Sequence, residues 1–583
     1  MKGNSYRNSF KMKTLQKPLL LLLLITILSV CWIYSGEFYE KGEPREASVA
    51  VSMINDHQWI LPGVYADEIA FKPPFFHWLI AIFSLPAGNV SVFTARLPSV
   101  LAFVGLIAAC FLFFGRRMKQ KQALLICLIL ITSFELHRSA MESRVDMLLT
   151  VFIVGGLFTL FRWEEKKQLR GFPVLSVLML SCATLSKGPV GIVLPLFVFG
   201  VYLLLLKYNF WKIVGKILPV ALVAMILPAI WYYLAYLQGG QAFLDLVWGE
   251  NFARFFGGET KIPYPLGHEV PFYYNFRDLI AGFIPWTILL LLSSLFAIKY
   301  SFKFLTFKKI WNKLLSMEKV RLFSLLSAVL IVFFYCIPLS KRSVYLMPAY
   351  PFIAVFMAQY ILYLTEQKTK IIRIFSILVG SVGILVALIM LFTVVVPIVN
   401  PVQLFGFIKD AKTLSDIALI WASLTAPRWW YALLLGILAA AIFVLFNWQR
   451  KKNHLKILYA AVAVYFVTYA AVDAAFIPAF KTGVSVKSFA KEVETYSAER
   501  ENLYVINDFS RYRMYGVNFY LHNTFKNFEK ELPDDGLLLI QDGGFKQFYP
   551  HYSKLYDFSL LKTSKVKDDG YKISLYSIHK KTD

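Results

Sequence analysis

The chain has 583 residues; 58% are apolar or aromatic and only 17% are charged, where soluble domains carry about a quarter. Uncharged runs such as residues 18–36 and 374–400 reach the roughly 18 residues that a helix needs to cross a hydrocarbon core. This composition excludes a soluble globular or disordered chain. The net charge of +25 does not require nucleic acid, because basic residues collect in cytoplasmic loops facing anionic lipid.

Thirteen apolar spans are predicted, starting near residues 18, 94, 122, 146, 172, 189, 216, 276, 321, 345, 374, 429 and 457. The first ends in "LSVC", where Val30 is too bulky for a lipoprotein cleavage box, so it reads as a retained signal anchor. Alternation from a cytoplasmic N-terminus puts 30 Lys and Arg into 83 inner-loop residues, in clusters such as "RRMKQK" and "NWQRKKNHLK". The outer loops hold 13 in roughly 133 residues. One missed span would invert this bias downstream, so it supports an odd number of crossings and an external C-terminus. Cys31, Cys110, Cys127, Cys182 and Cys336 all lie in apolar runs, without disulfide or metal-ligand spacing.

The first outer loop is long, acidic and aromatic. "SMINDHQWILPG" reads as a helix end and turn, and the apolar stretch after Pro73–Pro74 is too short to span, so two interfacial segments are expected. After the last span, "NLYVIND", "GLLLIQD" and "YKISLYSI" read as strands and "SVKSFAKEVETYS" as a serine-capped helix. The expected fold is a polytopic α-helical membrane protein of about 13 transmembrane helices, with interfacial helices in the first outer loop and a small C-terminal α/β extracytoplasmic domain. The boundary falls between residues 1–481 and 482–583. The C-terminal part carries no catalytic motif.

Charges recur at the outer ends of spans: Asp146 in "ESRVD", Lys187 in "LSKGPVG", and Lys341 and Arg342 in "LSKRSVY". The fourth outer loop adds "WGENFARFFGGETKIPYPLGHEVPFYY". A charge in apolar surroundings needs a partner or a function. One shared polar cavity is expected, combining the carboxylates Glu43, Asp146 and Glu250 with the cations Arg45, Lys72, Lys187, Arg254 and Lys341. Cations at headgroup depth suit a phosphate, and a nearby carboxylate suits a base for a hydroxyl. That pairing fits transfer of a sugar from a lipid phosphate, whose departing charge needs preorganised cations.

These motifs resemble, in matching order over about residues 36–365, the bacterial aminoarabinose transferases and the wider protein-O-mannosyltransferase group of GT-C membrane glycosyltransferases. The elements are "GEPREASVAVSMINDHQWILPGVYADEIAFKPP", "SRVDMLL", "LSKGPVGIVLP", "WGENFARF" with "PFYY…GFIPW", and "LSKRSVYLMPAYP". The resemblance implies a cavity open to the outer leaflet of the cytoplasmic (inner) membrane, an undecaprenyl (polyprenyl) phosphate-linked donor, and inversion at the anomeric carbon. Membrane lipids surround the chain and no nucleic acid is involved. By position it assigns Glu43 and Asp146 as catalytic and Arg45, Lys72, Lys187, Arg254, Lys341 and Tyr345 as binding the donor phosphate. Glu250 and His268 line the acceptor side. Gly42 stands in the family's Asp slot, leaving Glu43; Phe71 and Asn251 stand where the aminoarabinose enzymes have Glu and His, so no zinc and no other cofactor is expected.

The acceptor class is lipid A, a glycan or a protein hydroxyl. An oligosaccharide ligase using a lipid-linked glycan is the nearer alternative. A lipid or sugar transporter would place its charges at mid-span. Glu37, Glu40 and Glu46 read as solvated or helix-start charges. Glu43→Gln is expected to abolish transfer in a normally inserted protein.

Overall fold

A computed structural model describes residues 2–34, 36–39, 42–253, 270–296, 307–395, 417–418, 420–422, 424–425, 429–496, 502–506, 513–568 and 571–581. Each of the thirteen apolar runs coincides with a helix, but they are not alike. Nine helices among the described residues are long and apolar enough to cross a membrane, from Leu15–Tyr34 to His454–Tyr496. Two further runs are bent pairs, Gln120–Thr132 with Phe134–Ala140 at 64° and Tyr274–Gly282 with Trp286–Phe296 at 103°. Counting each pair as one span makes eleven. The last two, Val174–Lys187 and Val190–Leu205, are shorter helices on either side of a sharp turn. Hydropathy located every run; it could not show that Pro285, with no N–H to continue a helix, bends one of them.

The elements that place the charged residues gather around the first loop. The first long helix is α1 (Lys2–Val30) and the loop after it forms α2 (Gly42–Asn55), the hairpin β1 (Gly63–Tyr65) and β2 (Glu68–Ile69), and α3 (Phe75–Ser84). Next come α4 (Val92–Gly115), α5 (Gln120–Thr132), α6 (Phe134–Ala140), α7 (Val145–Lys167), α8 (Val174–Lys187), α9 (Val190–Leu205) and α10 (Phe210–Trp248). A capping box opens α4: Ser91 Oγ accepts from Thr94 N at 3.1 Å, and Thr94 Oγ1 accepts from Ser91 N at 2.9 Å. That start sets Arg96 one turn into the helix.

In lipid, helices associate through close packing rather than hydrophobic burial. Gly155 and Gly156 on α7 let α8 approach; a Cβ at these positions would meet Met179 Sδ at 3.0 Å and Leu180 Cδ2 at 3.2 Å. The bundle interior is aromatic: Phe113 stacks on Phe158 with ring centres 3.9 Å apart.

The C-terminal part contains a five-stranded mixed sheet in the order β4-β3-β5-β7-β6. Its strands are β3 (Leu503–Val505), β4 (Lys526–Asn527), β5 (Asp535–Gln541), β6 (Tyr556–Asp568) and β7 (Tyr571–Lys580). β3 runs parallel to β4 and β5, while β7 is antiparallel to both β5 and β6. The three strands and the helix (Lys487–Tyr496) read from sequence are present; β6, whose "YDFSLLKTSKVKD" lacks clean alternation, was missed. The helix Tyr515–Tyr520 from this part lies on α2, where Asn518 Nδ2 donates to Val64 O at 3.1 Å. Tyr520 Oη donates to Glu37 at 3.0 Å, and Arg513 pairs with Glu68. The sheet part is thus fastened to the first loop.

Candidate active site

Glu43 and Glu46, three residues apart on one short helix, have separate sets of partners. Glu43, in the first turn of α2, is fully buried. Arg96 donates Nε–H to its Oε1 at 2.7 Å and Nη2–H to its Oε2 at 3.1 Å. Ser143 N donates to Oε1 at 3.0 Å, and Lys481 Nζ lies 3.5 Å from Oε2. Burial would push the carboxyl up, but Arg96 and Lys481 outweigh it and hold Glu43 at about 2. Where a catalytic Glu43 was expected, both oxygens are occupied, and a carboxylate that acidic is a poor base. It is a clamp tying α2 to α4, the 141–144 turn and the helix Ile477–Gly483.

Three residues later, about 60° round the helix, Glu46 reaches different partners. It is buried, not solvated. Its Oε1 pairs with Lys72 and accepts from Arg45 Nη2 at 2.9 Å; its Oε2 lies 2.7 Å from His77 Nε2 on α3. Burial would raise the Glu46 carboxyl, but Lys72 and Arg45 hold it well below the usual carboxylate range. His77 is buried too, and its Nδ1 has no hydrogen-bond partner among the described residues.

Next to this group, Asp146 at the start of α7 pairs with Lys187 at the end of α8. Lys187 Nζ sits 4.0 Å from the centre of the Tyr345 ring, a cation–π contact. Lys72 feels both Arg45 and Lys187, and Asp146 feels Lys72 and Arg144. Glu250, in the π-helical turn after α10, acts on Arg45. Burial and then the neighbouring Arg45 push the Lys72 ammonium down to about 8, against the pull of Glu46. The cations Lys72, Lys187 and Arg45 keep 23%, 24% and 34% of their side-chain surface, while Glu46 and Asp146 keep 7% and 12%. An arriving anion therefore meets the cations first.

Of the residues singled out from sequence, Arg45, Lys72, Asp146, Lys187 and Tyr345 lie in this neighbourhood, with Glu250 acting on Arg45. Lys341 is not part of this ion-pair network. Its ammonium donates to the carbonyls of Pro338 at 2.5 Å, Val270 at 3.1 Å and Leu339 at 3.5 Å, beyond the C-terminus of the helix Lys319–Cys336, where a cation complements the dipole. Arg254 and His268 lie outside the described residues, as does Glu40. Among the described residues no group of three or more His, Cys, Asp or Glu is placed to hold a metal. The residues at the two departure positions, Phe71 and Asn251, supply no acid or imidazole ligand, so no step is derived through a metal.

Glu46, His77 and Arg96 were missed. Arg96 had a usable signal, since a charge one turn inside an apolar span needs a partner. His77 read as part of an apolar interfacial stretch. Glu46 could be separated from Glu43 only by knowing which way α2 is turned.

A match to the family described as dolichyl-phosphate-mannose-protein mannosyltransferase covers residues 71–233, from Phe71 beside Lys72 into α10. An uncharacterized protein of Aquifex aeolicus is 28% identical over 369 residues, 61% of this chain and 66% of that one. The undecaprenyl phosphate-alpha-4-amino-4-deoxy-L-arabinose arabinosyl transferase of Shewanella sediminis is 24% identical over 352 residues, 59% of each chain. The match thus spans about three-fifths to two-thirds of these relatives' length. The crystal structure of ArnT from Cupriavidus metallidurans bound to undecaprenyl phosphate superposes with a TM-score of 0.67 at 16% identity, covering 96% of this chain and 97% of that one. At that identity the likeness speaks for the fold. By fold over nearly its whole length this chain is similar to that transferase, and by sequence its membrane part is similar to the arabinosyl transferases and, over residues 71–233, to the protein mannosyltransferase family.

Proposed function

We propose that the chain moves a sugar from an undecaprenyl (polyprenyl) phosphate carrier to an acceptor on the outer face of the cytoplasmic membrane. The observation that carries this reading is the convergence of Arg45, Lys72 and Lys187, from three separate segments, on one place where Glu46 and Asp146 only partly balance them. In the reaction the anomeric carbon–oxygen bond to phosphate breaks and its electron pair stays on the carrier. The three cations stabilise that developing charge without having to reorganise. Asp146, oriented by Lys187, faces the sugar. All thirteen helical runs cross or re-enter the membrane, the N-terminus is cytoplasmic, and residues 482–583 form an outer domain over the site. The likeness to arabinosyl transferases and protein mannosyltransferases supports the reaction class; the acceptor is lipid A, a glycan or a protein hydroxyl.

The test is a mass-spectrometric comparison of envelope lipids and glycoproteins from cells with and without the gene. One sugar modification is expected to disappear with the gene and return with it. No change in either fraction would overturn the reading.

Carrier binding should depend on pH in a particular direction. Lys72 is charged below about 8 and loses its proton as pH rises through that value. A bound phosphate favours the charged form, so affinity falls on the alkaline side. A charge-assisted hydrogen bond contributes about 1.5–3 kcal/mol, so undecaprenyl phosphate should bind roughly tenfold to a hundredfold more weakly above the transition. Lys72→Arg, which stays charged, should keep its affinity there, and Lys72→Ala should be weak throughout. Titrations of nanodisc-embedded protein on both sides of the transition check this; a flat wild-type profile would remove Lys72 from the phosphate site.

A further inference from the structure

The two oxygens of Glu46 have different partners, and the difference has a chemical consequence. Oε1 is shared by the two cations Lys72 and Arg45. Oε2 is held from the far side by His77, at 2.7 Å. An ionised carboxylate only accepts hydrogen bonds, so His77 Nε2 carries the proton in this contact. Nδ1 has no hydrogen-bond partner among the described residues. Glu46 is thus seated on a fixed donor and capped by cations that a phosphate would attract.

We propose that Glu46 is the general base of the reaction: the carrier phosphate draws Lys72 and Arg45 away from Oε1, and the freed oxygen takes the proton of an acceptor hydroxyl while His77 holds Oε2. This rests on the glycosyl-transfer reading above. The step balances. The acceptor O–H bond breaks as its oxygen bonds to the anomeric carbon; the carbon–oxygen bond to phosphate breaks with its pair going to the carrier; the proton stays on Glu46 and is later lost to water. His77 is a positioning residue, since it touches Glu46 and not the reacting atoms.

The arrangement couples proton removal to donor binding. With both cations on Oε1 the carboxylate is too acidic to act. Once a phosphate holds the cations, only His77 remains beside it, and a carboxylate with fewer positive neighbours is a stronger base. The other charges bearing on the group lie behind these cations: Tyr515 and Glu250 next to Arg45, Lys187 and Asp146 next to Lys72. Glu43, the carboxylate expected from sequence, cannot respond in this way because its partner Arg96 is buried with it.

Three variants of the full-length protein in nanodiscs test this, with undecaprenyl phosphate as the binding probe and the modification found by mass spectrometry as the turnover readout. Glu46→Gln keeps shape but cannot take a proton. It should bind undecaprenyl phosphate as tightly as the wild type or more tightly, because a competing carboxylate is gone, and lose about a hundredfold or more of kcat. His77→Ala should move the acid limb of kcat/KM to higher pH, since the carboxylate loses a donor that favours its charged form. His77→Gln, whose amide nitrogen falls near Nε2, should move it back. Wild-type turnover in Glu46→Gln overturns the proposal, as does joint loss of turnover and carrier binding, which would make Glu46 a structural counter-ion. An acceptor that proves to be a phosphate, with no proton to remove, overturns it too. A wild type that transfers no sugar overturns the transferase reading itself.

Discussion

Glu43→Gln is expected to leave little folded protein, rather than an inserted and inactive enzyme. Arg96 is buried and its guanidinium is shared among Glu43 and the carbonyls of Ile33 at 2.9 Å and Gly36 at 3.2 Å. Neutralising Glu43 takes from that guanidinium the carboxylate to which it donates two hydrogen bonds. Breaking a buried pair by removing one partner costs about 3–5 kcal/mol, a large share of a domain's whole margin of about 5–15 kcal/mol. The clamp joins the segment after α1, α2, α4 and the 141–144 turn, so its loss should disturb the neighbouring site. Melting curves in detergent should show a fall of many degrees, with activity lost in step with the folded fraction. A double change, Glu43→Leu with Arg96→Met, removes both charges and should recover much of the stability, because apolar replacements of buried pairs are often neutral or better. A Glu43→Gln protein that melts like the wild type and fails only in turnover would restore Glu43 as a catalytic group.

The clamp also has a pH signature. Glu43 is held at about 2, below its ordinary 4.5. A depressed carboxyl contributes stability that is complete above its unfolded value and is lost as pH falls through the folded one. The pair therefore persists at every physiological pH and fails only in strong acid, between about 4.5 and about 2.

Gly191→Ala should be the most damaging methyl group that can be added near the site. Within a helix this change ordinarily stabilises by about 1 kcal/mol. Here the sign reverses. A Cβ at Gly191 would lie 2.4 Å from both Ala183 C and Thr184 N. Those are backbone atoms of the last turns of α8 and cannot step aside as a side chain can. The turn is already tight: Gly188 has φ of +90°, its N–H donates to Thr184 O at 2.7 Å, and Gly191 N donates to Gly188 O at 3.1 Å. To admit the methyl, α8 and α9 must splay, and Lys187 at the end of α8 must leave Asp146 and Tyr345. The cost should exceed the roughly 1–3 kcal/mol of ordinary overpacking, and undecaprenyl phosphate affinity should fall with it. Gly215→Ala in α10, where nothing lies within 4 Å of the new carbon, is the control and should melt as the wild type or slightly higher. Equal behaviour of the two variants would show that the α8–α9 turn does not depend on its glycine.

Much of the architecture was legible without coordinates, and the part that was not has a common cause. Runs of uncharged residues long enough to span, basic clusters at alternate ends, and the resemblance in the loop motifs are local features, read within one segment at a time. They located the long apolar helices among the described residues and the polar segments at their ends. They also singled out Arg45, Lys72, Asp146 and Lys187, because a charge among apolar residues is conspicuous wherever it lies. Pairing is not local. Glu43 and Arg96 are 53 residues apart, and Glu46 and His77 are 31 apart.

By itself the sequence determined that this chain spans a membrane many times and concentrates charge at one set of span ends. Only the tertiary structure decided which acid does what. Glu43 and Glu46 sit three residues apart on one helix, with the same chemistry and the same local signal. The rotation of α2 against α3 and α4 sends one into a buried clamp and the other to the cations. The same holds for Lys341, conspicuous in sequence yet held by carbonyls at the end of a neighbouring helix. A charged side chain's role follows from the partner it reaches, and that partner is chosen by packing between segments that the sequence keeps far apart.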